Sequence, residues 1–173
     1  MYTLASDEKA SGVMVYTQNT LIRGEAVTKQ SNRVSVWLRT EGAPEYIHLL
    51  NPQVINMSGN AIRKLSFSEM YVPAIQIIGF HLTPPACDPP DFDESEKNRK
   101  MQPITVLAGT FAFSGAIRIS TQVDLGTSIT SGRATWMSIY DVKISNPLLP
   151  QMGELQVPML LVRPGQVGFG LSE

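Results

Sequence analysis

Few side chains in this sequence can do chemistry, and their spacing argues against most reactions. There are two histidines, His48 and His81, and one cysteine, Cys87. Two imidazoles cannot build a histidine-rich metal site, and a lone thiol allows neither a multi-cysteine metal site nor an intrachain disulfide. Cys87 reads as a free surface thiol, and His48 as a strand residue with a partly exposed ring rather than a catalytic base. Asp88, Asp91, Asp93, Glu94 and Glu96 crowd one segment. That segment lacks the alternating ligands and central glycine of a calcium loop, so it reads as a solvated linker. Gly165, Gly168 and Gly170 follow Pro164, as a turn entering a last strand with no helix behind it to hold a phosphate. The motifs G-x-x-x-x-G-K-[ST], G-x-S-x-G, H-E-x-x-H and C-x-x-C are absent. These residues lead us to expect a non-enzymatic protein with no cofactor and no metal.

The more promising set is aromatic: Tyr46, His48, Trp136 and Tyr140. If 46–50 and 136–140 are strands, Ile47 and Leu49 point one way and Tyr46 and His48 the other. In the same way Met137 and Ile139 oppose Trp136 and Tyr140. The aliphatic residues belong to a core, which leaves the aromatics on an outer face as a candidate interface or binding set. Such rings can stack on bases or anchor a protein partner. The high average burial of Trp and Tyr favours a face that packs against the other copy or under a loop.

The elements that would position these residues occur twice. Val13-Met14-Val15 corresponds to Ile104-Thr105-Val106, and Ile22-Arg23-Gly24 to Phe113-Ser114-Gly115. Tyr46 to Asn51 runs beside Trp136 to Asp141, and Val72-Pro73 is matched to Val157-Pro158 with a deletion before the second pair. Blocks in conserved order, with length changes only between them, mark a tandem duplication. Each block is short, rich in Val, Ile, Thr and aromatics, and bounded by Gly, Asn, Pro or Ser, which is strand chemistry. Gly115 interrupts the alternation of Phe111, Phe113, Ile117 and Ile119, so a bulge or bend is expected there. Pro73 and Pro158 should begin strands or lie on sheet edges. Helix is scarce: Ser31 to Arg39 and Ile62 to Met70 are the best candidates, both with irregular apolar spacing and ambiguous capping. The expected organisation is a flexible tail over 1–11, a first β-barrel over 12–83, an acidic Pro-rich linker over 84–102 and a second β-barrel over 103–173.

Composition sets the outer limits. In 173 residues, hydrophobic residues make up 43% and charged ones 17%, enough for a packed core and too little charge for disorder. A net charge of −1 provides no field to draw in a polyanion, so nucleic acid is a disfavoured partner. The start of the chain lacks a basic and apolar leader, no apolar run is long enough to cross a bilayer, and the single cysteine suits a reducing compartment. A cytoplasmic protein without membrane association is expected.

The run from Leu21-Ile22-Arg23-Gly24 to Arg33-Val34-Ser35-Val36-Trp37-Leu38, then Tyr46-Ile47-His48-Leu49 and Val72-Pro73-Ala74-Ile75, is similar to a family of uncharacterised bacterial proteins with Sm-like folds. The likeness extends over both copies and is better in the first. It implies an all-β protein made of two tandem, strongly bent, roughly five-stranded Sm-like barrels that assemble through strand edges. It does not bring RNA binding with it. Sm and Hfq proteins place Asp and Asn in a fixed pattern after a glycine, and Glu25, Lys29 and Asn32 after Gly24 do not match that spacing.

The leading expectation is therefore a non-enzymatic interaction or assembly module that self-associates or takes a protein partner. RNA or single-stranded nucleic-acid binding is the alternative, and a small ligand held between the copies is a second one.

Overall fold

Segments rich in β-branched and aromatic residues become strands throughout the chain. The computed structural model describes residues 2–59, 61–152 and 155–171. Among them are eleven strands and one short α-helix, joined by 3-10 turns, so the protein is mostly β. No described helix is long and apolar enough to cross a membrane. The chain divides into two units, Met1–Asp88 and Pro89–Glu173.

In the first unit, β1 (Glu8–Tyr16) and β2 (Thr20–Lys29) form a hairpin, and β2 pairs with β3 (Tyr46–Asn56). β4 (Arg63–Ser66) and β5 (Glu69–Pro73) share one register along β3, β4 beside its second half and β5 beside its first. β6 (Gly79–Leu82) returns to pair antiparallel with β1. The core holds Val13, Val15, Ile22, Ile47, Leu49, Val72 and Phe80, each at most 2% exposed. A 3-10 helix over Val34–Arg39 adds buried Val34, Trp37 and Leu38.

The second unit has the same strand order. β7 (Arg99–Ala108) pairs with β8 (Phe111–Ser120), β8 with β9 (Met137–Ser145), and β9 with β10 (Leu155–Val162). β11 (Gly168–Gly170) returns to β7. The helix α1 (Leu125–Ser131) takes the place between β8 and β9 that the 3-10 helix takes between β2 and β3. The Asp124 side chain caps it by accepting from the Thr127 backbone N–H at 2.7 Å. No periodic apolar stripe announces a seven-residue helix, and the sequence reading missed it.

Both units carry one bulge at matching positions. Arg23 faces Gln53 but Glu25 faces Leu50, so Gly24 stands against two residues, Asn51 and Pro52. Likewise Ser114 faces Lys143 but Ala116 faces Tyr140, setting Gly115 against Asp141 and Val142. Asn51 and Asp141 both adopt left-handed backbone, φ 49° and 51°, which short polar side chains tolerate best after glycine. One extra residue reverses the alternation. Ile47 and Leu49 point inward before Asn51, and Val54 after it; Ile139 does so before Asp141, and Val142 and Ile144 after it.

Several expectations are corrected. β1 begins at Glu8 and β7 at Arg99, within the segments read as tail and linker. Within Ile62 to Met70 the chain forms β4 and the start of β5 rather than a helix, because these residues extend along β3. Val72 pairs with Ile47, whereas Val157 pairs with Val142. The structural counterpart of Val157-Pro158 is therefore Phe67-Ser68, and the proposed deletion before it disappears. Pro73 ends β5, which pairs on one side only among the described residues, so it sits on an edge as one of the two expected places, whereas Pro158 lies inside β10 opposite the left-handed Asp141 rather than at a strand start. Within each unit the pairings make an open antiparallel sheet, with no ladder among the described residues closing it into a barrel.

Candidate functional site

Strand alternation places Tyr46 and His48 on the outer face of β3, as the sequence predicts. Tyr46 is 55% exposed. Strand pairing then sets Tyr71 of β5 directly opposite His48. Their rings stack at 4.4 Å and 9°, and Tyr2 makes a T-shaped contact with the imidazole at 4.6 Å. His48 Nε2 lies 3.0 Å from Glu69 Oε2. The Tyr2 hydroxyl donates to Glu8 Oε2 at 2.8 Å, which raises the tyrosine pKa. The Glu8 carboxyl is held below its usual range, first by the Ala5 N–H and then by Tyr2. Tyr46 and Tyr71, at 57% exposed, leave this face open and aromatic.

The corresponding face of the second unit is covered by its own chain. Trp136 is 5% exposed, with the Arg163 guanidinium 4.4 Å above its ring. The Tyr140 hydroxyl donates to Asp91 Oδ1 at 2.7 Å, and Ser138 Oγ donates to Asp91 Oδ2 at 2.8 Å. Phe92 packs edge-on to Tyr140 at 5.0 Å beneath the Arg118 guanidinium. Arg118 also donates to Glu96 Oε2 at 2.7 Å and to the Asp93 carbonyl. Three of the acids read as a solvated linker, Asp91, Asp93 and Glu96, thus strap the segment across this face. In the first unit Asp88 accepts from the Ser35 backbone N–H at 3.1 Å.

The four candidate residues therefore form two patches, Tyr46 with His48 in one unit and Trp136 with Tyr140 in the other. The sequence reading missed Tyr71, Tyr2 and Phe92. Tyr71 becomes recognisable only once the β3–β5 register is known, because nothing in its own neighbours distinguishes it.

Chemically, the His48 and Glu69 pair resembles the orienting half of a nucleophile-activating array. His48 Nδ1 has no hydrogen-bond partner among the described residues, so none of their hydroxyls or thiols is hydrogen-bonded to it. His81 is 1% exposed. Its Nδ1 faces the Leu82 carbonyl at 2.7 Å and its Nε2 the Tyr16 hydroxyl at 2.9 Å. The carbonyl can only accept, so Nδ1 carries the proton and Nε2 accepts from Tyr16. Burial pushes the imidazole pKa down to about 4, partly opposed by the Leu82 carbonyl. Cys87 is exposed. No group of three or more His, Cys, Asp or Glu side chains placed to hold a metal occurs among the described residues.

The chain matches no family model, no curated protein and no solved structure.

Proposed function

We propose that this protein is a non-enzymatic assembly module, a tandem duplication of one Sm-like β unit, that associates with a second copy through the β4–β5 edge. The observation that carries this reading is the state of β4. All four of its residues are exposed, and among the described residues it pairs on one side only, with β3. An edge with free backbone donors and acceptors is a template for another strand. Here it is flanked by exposed Leu65, Phe67, Tyr71 and Ile75, at 42%, 46%, 57% and 71%, the apolar surface that proteins seldom leave together unless something covers it. The shared strand order and the matching bulges support the duplication, and the order of strands in each unit supports the Sm-like assignment. A unit of this size buries a limited fraction of its surface, so association adds stability.

A second reading, single-stranded nucleic-acid binding, draws support from the stacked His48 and Tyr71 beside exposed Tyr46.

Light scattering on the purified protein, with absorbance at protein and nucleic-acid wavelengths, tests both. Assembly predicts a defined multimer that the double substitution Leu65→Lys, Phe67→Lys dissociates, because charge on an edge discourages pairing. A monomer at every concentration would overturn it. Nucleic-acid absorbance travelling with the protein would favour the second reading.

A further inference from the structure

We propose that the depression beside the Gly24 bulge of the first unit binds a small zwitterion of the amino-acid class, with its carboxylate on Arg23 and its ammonium on Glu25. The cavity measures about 350 Å³ and is lined by Arg23, Gly24 and Glu25 of β2, by Asn51 and Gln53 of β3, and by Gly12 and Thr83 at its other side. That volume is at the small end of ligand pockets, about 300–1,000 Å³.

Three features go beyond what the bulge itself requires. First, Arg23, Glu25 and Gln53 make no side-chain hydrogen bond or ion pair among the described residues, with one another or with anything else. Their charges and amide groups remain free for a ligand. Second, Thr83 closes the far side of the cavity with a buried hydroxyl that makes no hydrogen bond among the described residues. Third, Gly12 stands opposite Glu25 in the β1–β2 ladder and has no side chain to fill the space. The second unit has the same bulge, yet Pro103 faces Ala116 there, and Ser114 stands in the register position of Arg23. The opposed charges belong to the first unit alone.

Those charges select the ligand. A simple anion drawn to Arg23 is repelled by Glu25, and a simple cation meets the reverse. A molecule carrying both charges satisfies both walls. The guanidinium fork matches a carboxylate, and Glu25 offers only acceptors, which suits an ammonium. Arg23 and Glu25 are solvent-exposed, so the binding is weak and falls with added salt.

The test is an NMR titration of the full chain with L-alanine and glycylglycine, beside blocked N-acetyl-alanine methylamide, which carries neither charge. The expected result is a saturable change in the amide signals of Gly12, Gly24, Asn51 and Thr83 with the zwitterions and none with the blocked compound. Arg23→Gln and Glu25→Gln should each weaken binding about tenfold. Gly12→Val should abolish it by filling the floor, since a Cβ at Gly12 meets Thr83 at an ordinary 3.5 Å. If Gly12→Val fails to fold, Arg23→Gln at its exposed position decides. The proposal is overturned by the absence of saturable change, by equal binding of the blocked compound, or by unchanged affinity in Arg23→Gln.

Discussion

Tyr140 and Asp91 are joined by a 2.7 Å hydrogen bond from the phenol to the carboxylate, and Ser138 holds the other oxygen of the same group. Forty-nine residues of chain separate the partners, so the acid docks a segment onto the sheet rather than stabilising a local turn. Asp91→Ala leaves two part-buried hydroxyls without this acceptor and should cost about 2–3 kcal/mol in chemical denaturation. Glu94→Ala, at an exposed neighbour, should cost about 0 kcal/mol. Equal effects would show that the strap adds nothing.

The two bulges look alike but differ in tolerance. A Cβ added at Gly115 would lie 2.5 Å from the Tyr140 carbonyl oxygen and 3.2 Å from Ile139 and Val142 side chains. At Gly24 the nearest atoms, the Leu50 oxygen and Pro52 Cα, are 3.3 Å away. Gly115→Ala should therefore destabilise by about 3 kcal/mol and Gly24→Ala by about 1 kcal/mol. Urea midpoints for the two variants make the comparison, and the reverse order would refute the clash argument.

Stability should fall on both sides of neutral pH because of one buried pair. His81 titrates near 6.5 when unfolded and about 4 when folded, so between these values the unfolded chain binds the proton first. The stability present above pH 6.5 is lost as the pH drops toward 4, by about 3 kcal/mol in all. Burial raises the Tyr16 pKa, so the folded phenol keeps its proton where the unfolded one has lost it. That contribution disappears as the pH rises above 10. In His81→Gln the acid slope should flatten while the alkaline one persists, as followed by denaturation at a series of pH values.

Any binding of single-stranded homopolymers should depend on Tyr46 and Tyr71 and hardly on Trp136. The first two are 55% and 57% exposed, whereas Trp136 is 5% exposed beneath Arg163. Replacing Tyr46 and Tyr71 by Ala removes stacking worth about 1–3 kcal/mol per base. Binding that is lost with Trp136→Phe and kept in the tyrosine variants would contradict this.

The alternation of Tyr46, Ile47, His48 and Leu49 determined by itself that this segment is a strand with a buried and an open face. The glycine at 115 foretold an interruption, and the order of the blocks foretold units built alike in strand order. These features are local: side-chain period, backbone freedom and β-propensity act over a few residues. What the rings touch was decided only by tertiary structure. Register put Tyr71 on His48, the fold of the linker put Asp91 and Phe92 on Tyr140, and the same register moved the partner of Val157-Pro158 from Val72-Pro73 to Phe67-Ser68. Pairing between distant strands depends on the packing of the whole sheet, and a slip of one residue would turn every side chain to the other face. No local pattern carries that information.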